Sequence, residues 1–495
     1  MNSMRCFVSI PYRHRRLRSL ELSHKRSFHF RGFNSFLKVS PFSFFGHRFL
    51  LGAASVGFLL STSLWWANNS RQHALTEEIP SPPLRHVSHA FPNVGISLKF
   101  LENLLDSPDM QKPMIKLTHP NLSDEDLDNM DLTLLRGLAK ELRTHSAKDG
   151  ITEFTMYDDT EISRDVWLAA LRSKPSTTTH INICIVKPAT REFGGSYANS
   201  IISHSHPEWI GTPTDFVSHA WRNNFSSFVA ALRSEANERD RIRCRNGLNA
   251  ITSERYYWND IFVEDQNSAD SKPDGYFFTA FKEAVSSIGR TVLVLEPLRA
   301  AIPLSRAWCL WEIFSTIQDQ NAELCIALPP SESVTLKKML LKEFDSLDNI
   351  LTGVHVEKSE AFFKSEEDKI HRIVAELCPG GFQGVNMVIC DAMRGWLAET
   401  ARGFVRDVQV GEEQEDILML INRVALLFRS LGKLDDAEVL YRQALTGIER
   451  ITFKNGGERK KMLVKIKEAE SRLKRIQKQK KEYLQTVTTL ESTEE

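Results

Sequence analysis

Between residues 181 and 377 the chain alternates short apolar runs, rich in β-branched residues, with segments of helical spacing. Regular succession of strand and helix over such a length indicates βαβ units and a parallel sheet. A run that is apolar at nearly every position, such as TVLVL, indicates a strand buried on both faces. The predicted strands are INICIVKP (181–188), DFVSHAW (215–221), YYWNDIF (256–262), TVLVLEP (291–297), LCIALPP (324–330) and GVHVEK (353–358).

We therefore predict an α/β domain over residues 176–400, with the flavodoxin-like strand order 2-1-3-4-5 counted from Asp215. In such an open sheet, ligands bind outside the carboxyl ends of the strands, where the strand order reverses. Here that position lies between the loop Ser218–Trp221 and the loop Pro297–Glu312. The predicted topology thus directs attention to Glu312.

The N-terminal part of the chain indicates targeting and a membrane anchor. Residues 1–48 contain ten Lys and Arg against one acidic residue, which is typical of a mitochondrial or plastid transit peptide. The uncharged segment Phe49–Ala67 covers about 28 Å as a helix, close to the thickness of the hydrocarbon core. We predict a transmembrane helix in a mitochondrial membrane; a signal-peptide hydrophobic region and a plastid or endomembrane location are the alternatives. The orientation, and whether the transit segment is cleaved, stay open.

Two further regions precede the α/β domain. Residues 68–95 contain Ser-Pro-Pro without a hydrophobic period, which indicates a linker. Residues 96–175 have mainly helical spacing, for example LTLLRGLAKEL at 132–142 and DVWLAALRS at 165–173. We predict a helical subdomain there, with no chemistry assigned.

Glu312 lies in SRAWCLWEIF (305–314), as a lone carboxylate among apolar residues. The helix N-terminus stabilises the charge of such a group, whereas desolvation raises its pKa. In the structural interpretation, the tryptophans pack and Glu312 pairs with an arginine such as Arg306. In the functional interpretation, the carboxylate acts on a ligand.

The stretch from about Pro213 to Pro330 resembles a TIR (Toll/interleukin-1 receptor) domain. The residues that carry the resemblance are TDFVSHAW, YYWNDIFVEDQ, FFTAFKEAVSSIGRTVLVLEP and SRAWCLWEIF. The last of these is similar to the family's Ser-x-x-Trp-Cys-x-x-Glu helix. The combination also resembles TIR-like proteins of algae, oomycetes and other protists, and the resemblance implies a TIR-like parallel sheet.

In enzymatic members of that family the glutamate of this helix is the catalytic residue of an NAD hydrolase, which the resemblance transfers to Glu312. A fixed carboxylate can stabilise the oxocarbenium-like state of nicotinamide–ribose cleavage. The resemblance also suggests ligand contacts from Ser218, Trp221, Ser305 and Trp308, with Trp258 as a further stacking surface. NAD would be the substrate, with no resident cofactor.

Many TIR domains are instead adaptors that bind other TIR domains. In this chain about 96 residues separate Phe216 from Glu312, and EDQNSADSKPDG replaces the usual short turn after the second strand. We therefore predict a membrane-anchored signalling or scaffold protein that acts by association, with NAD hydrolysis by Glu312 as the alternative.

The sequence motifs of other common nucleotide-binding proteins, zinc proteases and hydrolases are absent. There is no GxxxxGK[ST], GxGxxG after a strand, HExxH or GxSxG. The seven cysteines have no CxxC spacing, so buried thiols are expected rather than a zinc site or disulfide framework. We expect no metal.

The C-terminal part indicates a helical module that either packs on the α/β domain or binds a protein partner. Residues 413–452 include INRVALLFRSLGKLDDAEVLYRQAL, which resembles a kinesin-light-chain-type tetratricopeptide repeat. Small residues at the helix crossing and larger ones around it fit that hairpin. Residues 457–485 have heptad-like apolar spacing with eleven Lys and Arg between Arg459 and Lys481. A solvated helix, a short coiled coil and a helix on anionic lipid are the alternatives; nucleic-acid binding is unlikely, because no reader motif accompanies the charge.

Overall fold

The structure is a computed structural model that describes residues 91–142, 163–247, 254–268, 272, 275–347, 350, 353–407, 414–450 and 456–491. The predicted targeting segment 1–48 and the predicted membrane helix Phe49–Ala67 lie outside these described residues. Within the described ranges no single helix is long and apolar enough to cross a membrane, whereas the bent pair Lys364–Leu377 and Gly381–Arg406, at 96°, passes that test when combined.

The domain is built on a mostly parallel six-stranded sheet with helices around it. The strands are β1 (Gly95–Ser97), β2 (Ile210–Gly211), β3 (Asp215–Ser218), β4 (Tyr256–Trp258), β5 (Arg290–Val294) and β6 (Glu323–Ala327). Their spatial order is β2-β1-β4-β3-β5-β6. The four strands from β3 to β6 are parallel and, numbered along the chain, have the order 2-1-3-4. The short strands β1 and β2 extend the β4 edge in antiparallel pairing.

Four of the six predicted strands are present, and all four are shorter than predicted. The apolar run at 181–188 was predicted as a strand, and this is wrong: it is helical, because the Thr177 hydroxyl caps a helix by accepting the His180 N–H at 3.2 Å. GVHVEK is also not a strand; it contains the 3-10 turn Val356–Lys358. After Trp258 the chain turns into the helix Asp260–Val263 rather than continuing β4.

The helices before the parallel strands share one hydrophobic core with the α/β domain. They are Leu98–Leu105, Met114–Thr118, Asp124–Asn129, Leu132–Glu141, Arg164–Arg172, Thr178–Ile181, Lys187–Thr190 and Ser203–Ser205, with π-helical stretches Asn182–Val186 and Ala198–Ile202 and 3-10 turns Pro108–Gln111 and Pro207–Trp209. Thr178–Ile181, Asn182–Val186 and Lys187–Thr190 follow one another without a break, and we call them together the 178–190 helix.

The helices between and after the parallel strands cover the sheet. They are Phe225–Arg245, Tyr276–Ile288, Ala307–Gln318, Pro330–Lys342, Lys364–Leu377 and Gly381–Asp407, with 3-10 turns Ile302–Ser305 and Phe344–Leu347. Local sequence sets their ends: Asn224 accepts the Ser227 N–H at 3.1 Å and begins Phe225–Arg245. Gly289, in the left-handed region at φ 73°, ends Tyr276–Ile288.

The C-terminal part consists of three helices, Gln414–Ser430, Leu434–Arg450 and Gly456–Glu491. The first two form a hairpin, with Gly432 at φ 70° in the turn. Ala437, Tyr441 and Ala444 are fully buried between the two helices, as the small and large residues of the sequence pattern require. The hairpin packs between Gly381–Asp407 and Gly456–Glu491.

Candidate functional site

Glu312 lies on the second turn of the helix Ala307–Gln318, which begins after the loop that follows β5. Its side chain is only 7% exposed. Burial raises its pKa well above the usual value, the charge of Asp260 adds to the rise, and the Ser218 hydroxyl opposes it. The predicted pairing with Arg306 is absent, and no ion pair joins Glu312 to any described residue. Burial therefore favours the neutral form of this carboxyl.

Ser218 is the last residue of β3 and lies beside Glu312 and Cys309, as the topology predicted. Its hydroxyl is near enough to lower the pKa of both side chains. Even so, the Ser218 Oγ makes no hydrogen bond of standard geometry with the described part of the chain. Cys309 is buried and its thiol donates to the His219 carbonyl at 3.5 Å.

Asp260 is the first residue of the short helix after β4, and it lies close enough for its charge to act on Glu312. Burial raises its pKa to about 6, although the Trp221 indole, which donates from Nε1 to Oδ2 at 2.9 Å, favours the charged form. Trp221 is therefore held by Asp260 at the edge of the site. Sequence reasoning did not select Asp260; its position directly after a parallel strand was the available signal.

Two other predicted contacts are directed elsewhere. The Ser305 side chain is exposed and its hydroxyl donates to the Ile302 carbonyl at 2.9 Å. Trp308 donates to Glu366 Oε2 at 3.0 Å, and its ring lies 4.8 Å from that of Phe278. Trp258, suggested as a stacking surface, is fully buried in the core.

Several buried polar atoms near the carboxyl ends of β3 and β4 have no hydrogen-bond partner among the described residues. Besides Ser218 Oγ, they are His219 Nε2 and both amide atoms of Asn223 and of Asn259. Burial lowers the pKa of His219 to about 3, so its ring is neutral. Buried polar atoms are nearly always paired in native proteins, so such a concentration is a feature of functional sites.

The loop after β4 is attached to the 178–190 helix. Gln266 donates to the Asp260 carbonyl at 2.8 Å and accepts from Asn182 Nδ2 at 2.9 Å. Asn267 donates to Thr190 Oγ1 at 2.9 Å. The 178–190 helix, of which residues 181–188 were predicted as a strand, thus fixes the loop that follows β4.

The helical hairpin is attached to the α/β domain by a polar contact. Arg423 donates to the carbonyl of Leu340 at 2.8 Å and also to that of Leu341, at the end of Pro330–Lys342. Those carbonyls are the acceptors that a helix C-terminus leaves unpaired. The hairpin therefore packs against the sheet domain.

Among the described residues no three His, Cys, Asp or Glu side chains are arranged to hold a metal ion. Comparisons with protein-family models, with curated proteins and with solved structures give no match.

Proposed function

We propose that the protein is a membrane-anchored, TIR-like signalling or scaffold protein that acts by protein–protein association. The 2-1-3-4 order of the parallel strands supports the TIR-like, flavodoxin-like interpretation of the sheet. The uncharged segment Phe49–Ala67 supports the anchor. The basic segment 1–48 supports a mitochondrial location.

The observation that carries the proposal is the environment of Glu312. Its carboxyl is buried, has no ion pair with a described residue, and has a pKa raised far above the usual value. An oxocarbenium-like state is stabilised by an ionised carboxylate, and a neutral carboxyl supplies no such charge. Association through the protein surface requires no ionised Glu312.

The surface offers a specific site for association. Phe362 and Phe363 are 45% and 46% exposed, and their rings pack edge to face at 4.6 Å. They follow Glu360, whose backbone forms a parallel β-bridge with that of Arg306 beside the loop after β5. Exposed aromatic residues in adjacent positions are typical anchors of protein interfaces. We propose this aromatic pair as the self-association or TIR–TIR contact.

The hairpin 413–452 is proposed as the second contact. Val439 is 65% exposed on its second helix, while the opposite face is buried. Because the flanking helices already cover the hairpin, it does not need further repeats for stability. Its exposed surface is then available to a protein partner.

The association proposal is tested by light scattering of the detergent-solubilised full chain over a range of concentrations. Phe362→Ser with Phe363→Ser should reduce the associated fraction about tenfold or more, since aromatic anchors dominate interfaces. Val334→Ser, at a residue that is 64% exposed elsewhere, is the matched control. A monomer at every concentration would contradict self-association, and an unchanged fraction would exclude the aromatic pair.

NAD hydrolysis is the second candidate, and the unpartnered atoms of Ser218, Asn223 and Asn259 favour it. Polar atoms left unpaired beside a carboxyl can bind the hydroxyls or amide of a ligand, and ionised Glu312 would then face its ribose. In this alternative the buried state of Glu312 corresponds to a resting form.

The two candidates are separated by nicotinamide release from NAD by the full chain, clustered at high density in vesicles, beside Glu312→Ala. Release by the parent and none by the variant would establish the hydrolase. Equal background from two folded samples would leave association as the function.

A further inference from the structure

The C-terminal helix Gly456–Glu491 uses one narrow stripe to pack on the hairpin. Ile466, Ala469 and Leu473 are buried along that stripe. The Gln477 amide donates to Glu438 Oε2 at 2.6 Å on the second helix of the hairpin. At 1.5 Å per residue the helix is about 54 Å long, whereas each hairpin helix is about 26 Å. The faces of the helix outside this stripe are available for other contacts.

Basic side chains occupy that remaining circumference. The exposed ones that make no ion pair with a described residue are Arg459, Lys460, Lys461, Lys465, Lys467, Arg472, Arg475 and Lys481. At 100° per residue they extend over about 240° of the helix, avoiding the buried stripe. Lys474 is paired with Glu470 at 3.1 Å. We call these eight residues the basic surface.

We propose that the basic surface binds the anionic headgroups of a lipid membrane. Each Lys or Arg near an anionic membrane raises binding by roughly fivefold, so a few facing residues suffice for a measurable contact. Because the chain as a whole has zero net charge, this attraction is local to the helix.

A membrane fits this helix better than a nucleic acid. Proteins that bind single strands stack bases on aromatic side chains, and the segment from Gly456 to Glu482 contains no aromatic residue. The charges also surround most of the helix instead of following one groove-sized strip. The phosphate groups of a membrane form a flat, diffuse array, and basic side chains distributed in this way can contact it without a specific geometry.

The mode of binding follows from the packing. Since the apolar stripe is already buried against the hairpin, the helix cannot insert that stripe into lipid as an amphipathic helix does. It lies on the headgroups, and the contact weakens with salt. The predicted anchor Phe49–Ala67 would raise the local concentration of the helix at the membrane, so that a weak contact is sufficient.

The test uses the full chain in vesicles of phosphatidylcholine, with or without about 30% phosphatidylserine as the anionic lipid. A short pulse of amine acetylation, measured by mass spectrometry, reports the access of Lys461, Lys465 and Lys467. Lys282 and Lys358, which are exposed elsewhere, are the internal controls. We expect acetylation of the three helix lysines to fall about fivefold on anionic vesicles and to recover at about 1 M salt, while the controls stay constant.

Variants define the surface further. Arg459→Gln, Arg472→Gln and Arg475→Gln together should remove most of the protection. The charge-matched control Lys99→Gln, Arg191→Gln and Arg372→Gln, at exposed residues of other elements, should retain it. Equal acetylation of the helix lysines on both vesicle types would overturn the proposal. So would stronger protection by a short DNA duplex added to neutral vesicles, which would assign the basic surface to nucleic acid.

Discussion

Two buried acidic clusters lie at opposite ends of the parallel strands, and they differ in their counter-charges. At the amino ends, Asp215 begins β3 and Arg290 begins β5, and the Arg290 guanidinium donates to both Asp215 and Glu235, the latter at 2.6 Å. Burial alone would raise the pKa of Asp215, but Arg290 and Arg239 outweigh it and hold the pKa below the usual value. This cluster is ionised and paired.

At the carboxyl ends, Glu312 is buried and Asp260 half-buried, and neither has an ion pair with described residues. Burial raises the pKa of Asp260 to about 6 and that of Glu312 well above its usual value. The same desolvation is therefore overcome by arginine at the amino ends and left unopposed by arginine at the carboxyl ends. Paired charges suit a structural role, whereas unpaired acids with raised pKa values are characteristic of sites that bind or switch.

The largest effect is expected where a counter-charge is removed. Arg290→Met should lower the free energy of unfolding by about 3–5 kcal/mol, because Asp215 and Glu235 then stay buried without a cation. Urea unfolding followed by tryptophan fluorescence measures it. Arg239→Met is the control: its side chain is 27% exposed and should cost about 1 kcal/mol or less. Similar losses in both variants would show that the buried cluster is not stabilised as a unit.

The opposite sign is expected for Glu312→Gln. A raised folded-state pKa means that folding at pH 7 requires proton uptake, and the isosteric amide avoids this cost. The variant should be more stable than the parent towards urea at pH 7, and the gain should shrink as pH falls to about 4, where the unfolded chain is protonated too. Destabilisation at pH 7 would indicate that Glu312 is ionised and has a stabilising partner.

The titration of Asp260 should make the free energy of unfolding depend on pH. Its folded pKa of about 6 lies above the unfolded value of 3.8, so stability is full below that value and falls by about 3 kcal/mol as pH rises to 6. Asp260→Asn keeps an acceptor for the Trp221 indole and should abolish this fall. Asp215→Asn gives the contrast, because the lowered pKa of Asp215 contributes stability that is lost as pH decreases through it. A flat wild-type profile between pH 4 and 6 would contradict the assignment.

The sequence was sufficient for the parts of the fold that depend on local pattern. TVLVL became β5, and the helical hairpin within residues 413–452 was visible from residue sizes. It was insufficient for INICIVKP, because a short apolar run is compatible with a buried strand and a buried helix alike. Only capping by Thr177 distinguishes them, and the antiparallel strand β1 is too short to have a recognisable pattern.

The candidate site was also predicted only in part, because a local pattern does not specify long-range contacts. Strand order placed Ser218 and Glu312 at one edge of the sheet, and the two residues are close. Ser305 and Trp308 were selected by resemblance alone, and their side chains contact other residues. The ionisation state of Glu312 depended on whether an arginine would lie beside it, which is a long-range contact that no local pattern specifies.

The smallest effect is expected when one hydroxyl is removed from each end of the sheet, at Thr291 and at Ser218. Thr291, on β5 beside Arg290, shares a buried hydrogen bond of 2.7 Å with Thr316. Because Thr316 Oγ1 also donates to the Glu312 carbonyl at 2.7 Å, Thr291→Val removes only the bond between the two threonines and should cost about 1 kcal/mol. Ser218 Oγ has no hydrogen-bond partner among the described residues, so Ser218→Ala should be neutral or stabilising by up to about 1 kcal/mol. Urea unfolding at pH 7 measures both. If Ser218→Ala costs as much as Thr291→Val, the Ser218 hydroxyl is bonded to the Glu312 carboxyl, and the carboxyl ends of the strands are as well satisfied as the amino ends.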